Sequence, residues 1–158
     1  MEAQYTCAFE IDYKHGDVEI NVDGDGQQIR FTFMIAFFSI PTFFYLLLRL
    51  WKGKTNKTDI DGFGFAVSYY FTVQENELFI EHKTFDENDQ PVTYKYKYDF
   101  EKFMKAIDQG FTKYLQEQRE KGVLPLKVEE HTHPLSQQVI KEYGEFSAIL
   151  NEGDNGAQ

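Results

Sequence analysis

Three observations predict an α+β fold, two antiparallel three-stranded meanders forming one sheet or two, packed by two to three helices. Apolar and polar residues alternate strictly over short segments, the period of a half-buried strand. Turns of two to four residues join these segments, too short for the crossovers that parallel strands need. Other stretches carry apolar residues at steps of three and four, or on every side, and are long enough for helices. The chain has 158 residues and one net charge sign dominates. That length fits a single domain over residues 1–150, followed by a flexible tail over 151–158 (NEGDNGAQ).

The first strand is set by Tyr5, Cys7, Phe9, Ile11 and Tyr13 alternating with Thr6, Ala8, Glu10 and Asp12. Lys14-His15-Gly16 turns the chain into Val18, Ile20 and Val22, and Asp23-Gly24-Asp25-Gly26 turns it again into Ile29, Phe31 and Phe33. A strand ending near Phe37 then gives way to a helix over about 39–52. Ser39 is its N-cap candidate, Pro41 is tolerated in the first turn, Arg49 and Lys52 suit the C-terminus, and Gly53 follows. Phe43, Phe44, Leu47, Leu50 and Trp51 cover all sides of this helix, so it should be buried or lie at an interface. Lys54 to Asp61 reads as a polar loop without periodicity.

Phe63, Phe65, Val67, Tyr69, Phe71 and Val73 open the second meander, with Leu78-Phe79-Ile80 and then Val92, Tyr94, Tyr96 and Tyr98 as its other strands. Lys95 and Lys97 on the opposite side of the last strand suit a solvent-facing edge. Asp99 caps an amphipathic helix built on Phe103, Met104, Ile107, Phe111, Tyr114 and Leu115, expected to pack on Val67, Tyr69 and Phe71. Gly110 within it points to close approach of a neighbour. Pro125 and Pro134 mark a connector, and Leu135, Val139, Ile140, Tyr143, Phe146 and Leu150 outline a last helix. The two halves share element order without matching residues.

Composition excludes whole classes of function. Hydrophobic residues make up 42% and aromatics 17%, too much for a disordered chain. Against 26 acidic side chains stand 16 basic ones, a formal charge of −10, so the average field repels nucleic acid. A lone Cys7 forms no disulfide within the chain and no thiolate metal cluster. Glu2, Glu10 and Asp12 contradict a signal peptide, so a cytoplasmic location is expected. The uncharged run Phe31 to Leu48 reaches the minimum length of a membrane span. Arg30 and Arg49 bracket it closely, however, and Ser39-Ile40-Pro41-Thr42 divides it, so a strand and a buried helix are expected instead.

Candidate chemistry is sparse. Asn21-Val22-Asp23-Gly24-Asp25-Gly26 matches half of a calcium loop, but Thr32 stands where the bidentate Glu belongs. His131 and His133 supply two ligands where a closed zinc site needs four. No nucleophile has an activating context, so neither catalysis nor a cofactor or metal is expected. The Tyr94, Tyr96 and Tyr98 stripe can stack ligands, though packing against a helix is its commoner use.

What remains is carboxylates clustered at turns: Asp23 and Asp25, Asp59 and Asp61, Asp86, Glu87 and Asp89, then Glu129 and Glu130. Fixed negative charge on short strands steers a basic partner. If the second and third clusters cap opposite ends of a ten-residue strand they stand about 30 Å apart. Asp59 and Asp61 then rank first, because Trp51 beside them offers an aromatic anchor inside a charged rim.

In length, acidity, meander-helix-meander-helix order and turn acids, the chain resembles the small immunity proteins of bacterial toxin systems, contact-dependent growth inhibition among them. The resemblance is one of class and transfers no residue. It implies stoichiometric binding of a basic toxin domain, often a nuclease, by masking its active site. A ligand-binding or scaffold domain and a single-span membrane protein are the alternatives.

Overall fold

The structure is a computed structural model that describes residues 4–156. β1 (Thr6–Asp12), β2 (Asp17–Gly24) and β3 (Gln27–Phe33) form one antiparallel sheet in that order. The register Phe9↔Ile20 and Ile20↔Phe31 places the alternating apolar residues of all three strands on one face. α1 (Ala36–Trp51) follows, then β4 (Lys57–Gly62), β5 (Phe65–Gln74), β6 (Glu77–Phe85) and β7 (Pro91–Asp99), a second antiparallel sheet. α2 (Phe100–Glu120) and α3 (Gln137–Gly156) complete the α+β fold.

The second meander therefore has four strands, not three. The expected loop Lys54 to Asp61 contains β4, in which Ile60 is buried while Lys57, Asp59 and Asp61 stay exposed. One apolar side chain carries no readable period, yet it suffices for an edge strand paired on one side, with Ile60 opposite Tyr69.

The apolar run also divides earlier than its punctuation indicated. β3 ends at Phe33 rather than near Phe37, and α1 begins at Ala36 behind Ile35, whose φ of 53° is left-handed. The Ile35 carbonyl accepts from the amides of Phe38 and Ser39 at 2.9 and 2.8 Å. Ser39 is thus a buried residue inside the helix and makes no cap. Pro41 lies in the second turn, where its missing N–H leaves the Phe37 carbonyl without its helical donor. No helix among the described residues is long and apolar enough to cross a membrane.

Buried side chains of both sheets and all three helices join in one cluster. Phe31 is its hub, with ring centroids 5.2 Å from Phe43, 4.8 Å from Tyr69 and 6.4 Å from Phe103. α2 lies along β1, with Phe111 4.9 Å from Phe9, instead of directly on β5 as expected. The second sheet meets α2 directly through β7, where Tyr98 lies 5.3 Å from Phe103, and through Phe31 of β3. α3 covers α1 and α2: Phe146 is 5.0 Å from Phe44, and the Tyr143 hydroxyl donates to Asp108 Oδ1 at 2.7 Å. Helical backbone continues through Asn151, whose amide donates to Asp108 Oδ2 at 3.1 Å, so the tail expected from residue 151 starts as helix. Residues 157 and 158 of that tail lie outside the described residues.

Candidate functional site

The outer face of the first sheet follows from the same alternation that fills the core. With Phe9, Ile20 and Phe31 inward, Glu10, Asp12, Asp17, Glu19 and Asp23 face outward. The register sets Glu10 directly opposite Glu19, and Asp12 opposite Asp17. Like charges in facing positions destabilise a sheet, by roughly 0.2–1 kcal/mol for a pair. The one cation on this face among the described strand residues is Arg30, whose Nε donates to Asn21 Oδ1 at 3.2 Å. At the far end His15 bonds Asp12 at 2.8 Å, which raises the imidazole and lowers the carboxyl from their ordinary values. Sequence reading looked for acids in turns and missed this face, although the alternation of Glu10, Asp12, Asp17 and Glu19 was there to be read.

At its other end the acidic face runs into a cleft of about 570 Å3 where the β2–β3 turn meets the β5–β6 turn. Gly24 makes the junction possible, since a β-carbon there would stand 2.8 Å from the Tyr5 ring. The Tyr5 hydroxyl donates to Asp25 Oδ2 and accepts from the Asp99 amide at 2.9 Å. Burial and the bond to Asp25 push this hydroxyl up to about 12. Asp99 caps α2 by accepting from the Lys102 amide at 2.9 Å, and its second oxygen accepts from Asn76 Nδ2 at 3.0 Å. The Gln27 amide brackets Lys97, donating to its carbonyl at 2.8 Å and accepting from its N–H at 3.3 Å. Asp25, Glu75, Glu77 and Asp99 all line the cleft, and Lys97 offsets Glu77 at 3.3 Å. Tyr98, also in its wall, is 1% exposed, and its hydroxyl has no hydrogen-bond partner among the described residues.

Asp59, Asp61, Asp86, Glu87 and Asp89 belong to a different place. Register carries Asp61 to Ser68, Ser68 to Lys83 and Lys83 to Thr93, so Asp61 and the β6–β7 turn share one end of the second sheet. The row is about 14 Å wide at the usual strand spacing, which replaces the expected 30 Å separation of the two clusters. An antiparallel hairpin returns the chain to the end it started from. Trp51 lies at the opposite end: its ring packs at a tilt against Phe100 at 5.6 Å, and the Phe100 amide donates to the Asn76 carbonyl. It is half-buried against the core and does not anchor the Asp61 end.

The exposed rings at that end are instead Phe65, Tyr70 and Phe85, beside a cavity of about 850 Å3. Charge there is mixed. Lys83 lies 5.0 Å over Tyr70, Lys95 is 4.0 Å from Glu81, and Asp61 and Asp86 each give an oxygen to neighbouring backbone amides at 2.8 Å. The tyrosine stripe grades along β7 from buried Tyr98 to Tyr94, 49% exposed. Among the described residues no three His, Cys, Asp or Glu side chains converge on a metal position, and His133 Nδ1 is occupied in accepting from the Leu135 amide at 2.9 Å.

No protein family and no curated protein matches this sequence. Among solved structures, the chain is similar to the Trypanosoma bruciei MRP1/MRP2 structure, with a TM-score of 0.38 and 8% identity over 75% of this chain and 84% of that one.

Proposed function

We propose that this chain is a non-enzymatic binding domain of the immunity class, which neutralises a basic toxin domain, a nuclease being the leading candidate, by covering its active site in the cytoplasm. The observation that carries the reading is the outer face of the first sheet, where Glu10 opposes Glu19 and Asp12 opposes Asp17. That arrangement costs stability, and a cationic surface laid across it converts the cost into attraction. The face also continues into the Asp25 cleft, so flat charge and a recess lie side by side. This ranks the Asp23 and Asp25 cluster above Asp59 and Asp61, whose end of the second sheet also carries Lys83.

The test is capture of the partner from the native host at low salt, followed by association kinetics. A basic domain should be recovered, the chain should block its activity at one-to-one stoichiometry, and Glu10→Lys with Glu19→Lys should slow association more than it speeds dissociation, an effect that shrinks with salt. A partner whose binding is indifferent to reversal of this face overturns the reading.

A further inference from the structure

We propose that the cleft between the β2–β3 and β5–β6 turns is a receptor for a guanidinium group, an arginine side chain carried by the basic partner; this rests on the binding role argued above.

The charge is there and is partly uncommitted. Both Asp99 oxygens are taken by the Lys102 amide and Asn76, and Glu77 shares Lys97. Asp25 gives Oδ2 to Tyr5 and keeps Oδ1, while the Glu75 carboxylate has no partner among the described residues. Carboxylates alone would not define a ligand. Tyr98 adds an independent sign: it is 1% exposed, it lines the cleft, and its hydroxyl finds no partner among the described residues. Native proteins seldom leave a buried hydroxyl unpaired, because the lost hydration is not replaced. Burial raises the pKa of this hydroxyl above its ordinary value, and the charges of Asp23 and Asp25 add to the rise.

The donor geometry selects the ligand. A divalent metal needs several oxygens drawn to within about 2.0–2.6 Å of one point, and no such group forms among the described residues. An ammonium is a compact point charge with three donors. Guanidinium spreads five donors in a plane, which suits acceptors set apart on two turns, and it stacks on aromatic faces. Stacking is not what selects it here, since both tyrosine rings are buried and Lys102 Nζ already lies 5.9 Å over the Tyr5 ring; the Tyr98 hydroxyl, unpaired among the described residues, is the acceptor that the aromatic wall offers. Gly24 keeps the approach to Tyr5 narrow, and Gln27 and Asn76 are already engaged with Lys97 and Asp99, so the polar rim is pre-organised.

The probe is N-acetyl-arginine methylamide, titrated into the full chain at physiological ionic strength and followed by amide chemical shifts, with N-acetyl-lysine methylamide as comparison. The arginine probe should give saturable shifts at Asp25, Gln27, Asn76 and Asp99, and the lysine probe should bind about tenfold more weakly. Tyr98→Phe should weaken arginine binding several-fold without lowering the melting temperature, since it removes an unpaired group. Glu75→Gln, at an exposed turn, should weaken it without any effect on folding. Equal shifts from both probes, shifts that map elsewhere, or binding unchanged in both variants overturn the proposal. If the probe fails while reversal of Glu10 and Glu19 still abolishes partner capture, the cleft assignment falls and the binding role stands. If the probe binds as expected and the partner ignores that reversal, the sheet-face role falls and the cleft stands.

Discussion

A β-carbon on Gly110 would stand 2.7 Å from the carbonyl oxygen of Cys7, so α2 rests directly on the backbone of β1. In an isolated helix Gly110→Ala gains up to about 1 kcal/mol. Here the obstacle is main chain and cannot rotate away, so the variant should be less stable by about 1–3 kcal/mol, the usual cost of overpacking. Urea denaturation decides it. A variant as stable as the parent means that α2 lifts freely from β1.

Ile107, one turn earlier on the same helix, is fully buried. Ile107→Ala should cost about 2–5 kcal/mol through the lost methylenes and the cavity left behind. A change below about 0.5 kcal/mol, typical of surface positions, would remove α2 from its place over the first sheet.

Tyr69 joins the two sheets by a polar contact within an apolar core. Its hydroxyl accepts from the Thr32 amide at 2.9 Å and donates to the Arg30 carbonyl at 3.1 Å, closing the open edge of β3. Tyr69→Phe leaves both backbone groups unpaired and should destabilise by about 1–3 kcal/mol. Amide exchange at Thr32 should quicken selectively. Unchanged protection there would show that the edge finds another partner.

How much of this was legible beforehand depends on what each residue had to announce. β1 to β3 were legible because one face is apolar at every second position. β4 was not, because Ile60 is its only apolar side chain and its neighbours are charged. The start of α1 was misread because Ser39 and Pro41 look like a helix beginning, whereas a left-handed Ile35 has no signature in composition. Close approach at Gly110 was inferable from a glycine in a strong helix. Asp23 and Asp25 were visible as acids, but their meeting with Glu75 and Asp99 depends on Tyr5 reaching across some ninety positions of sequence, which no local pattern encodes.

His82 sits on the inner face of β6, its ring 4.6 Å from Tyr69 and 5.7 Å from Tyr94, and its Nε2 has no hydrogen-bond partner among the described residues. Burial lowers its pKa below the ordinary 6.5. Between the lowered native value and 6.5 the unfolded chain holds the proton more readily, so the stabilisation is complete above 6.5 and lost as pH falls below it. The melting temperature of His82→Phe should therefore decline less between pH 7.5 and 5 than that of the parent, the window being set by the histidine range of about 6.5 downward. Parallel declines would assign the acid sensitivity to other groups.

The last prediction sets stability against binding on the acidic face. Glu19, half-buried on the central strand, stands opposite the exposed Glu10, with Thr32 and not a cation on its other side. Glu19→Gln keeps the shape and hydrogen-bonding reach of the side chain while removing one of two facing charges. It should stabilise the free protein by about 0.2–1 kcal/mol at low salt. The gain should fade as ionic strength rises, because exposed charges are screened within about 10 Å at 0.1 M. The same substitution should slow association with a basic partner, since steering depends on the summed field of the face. A core-facing or purely structural glutamate would give the opposite stability result, as its removal would leave a donor unpaired. Thermal melts at two salt concentrations and association rates of the same variant provide both readings. If Glu19→Gln destabilises the chain, or stabilises it without slowing the partner, facing carboxylates on the first sheet are not the binding surface.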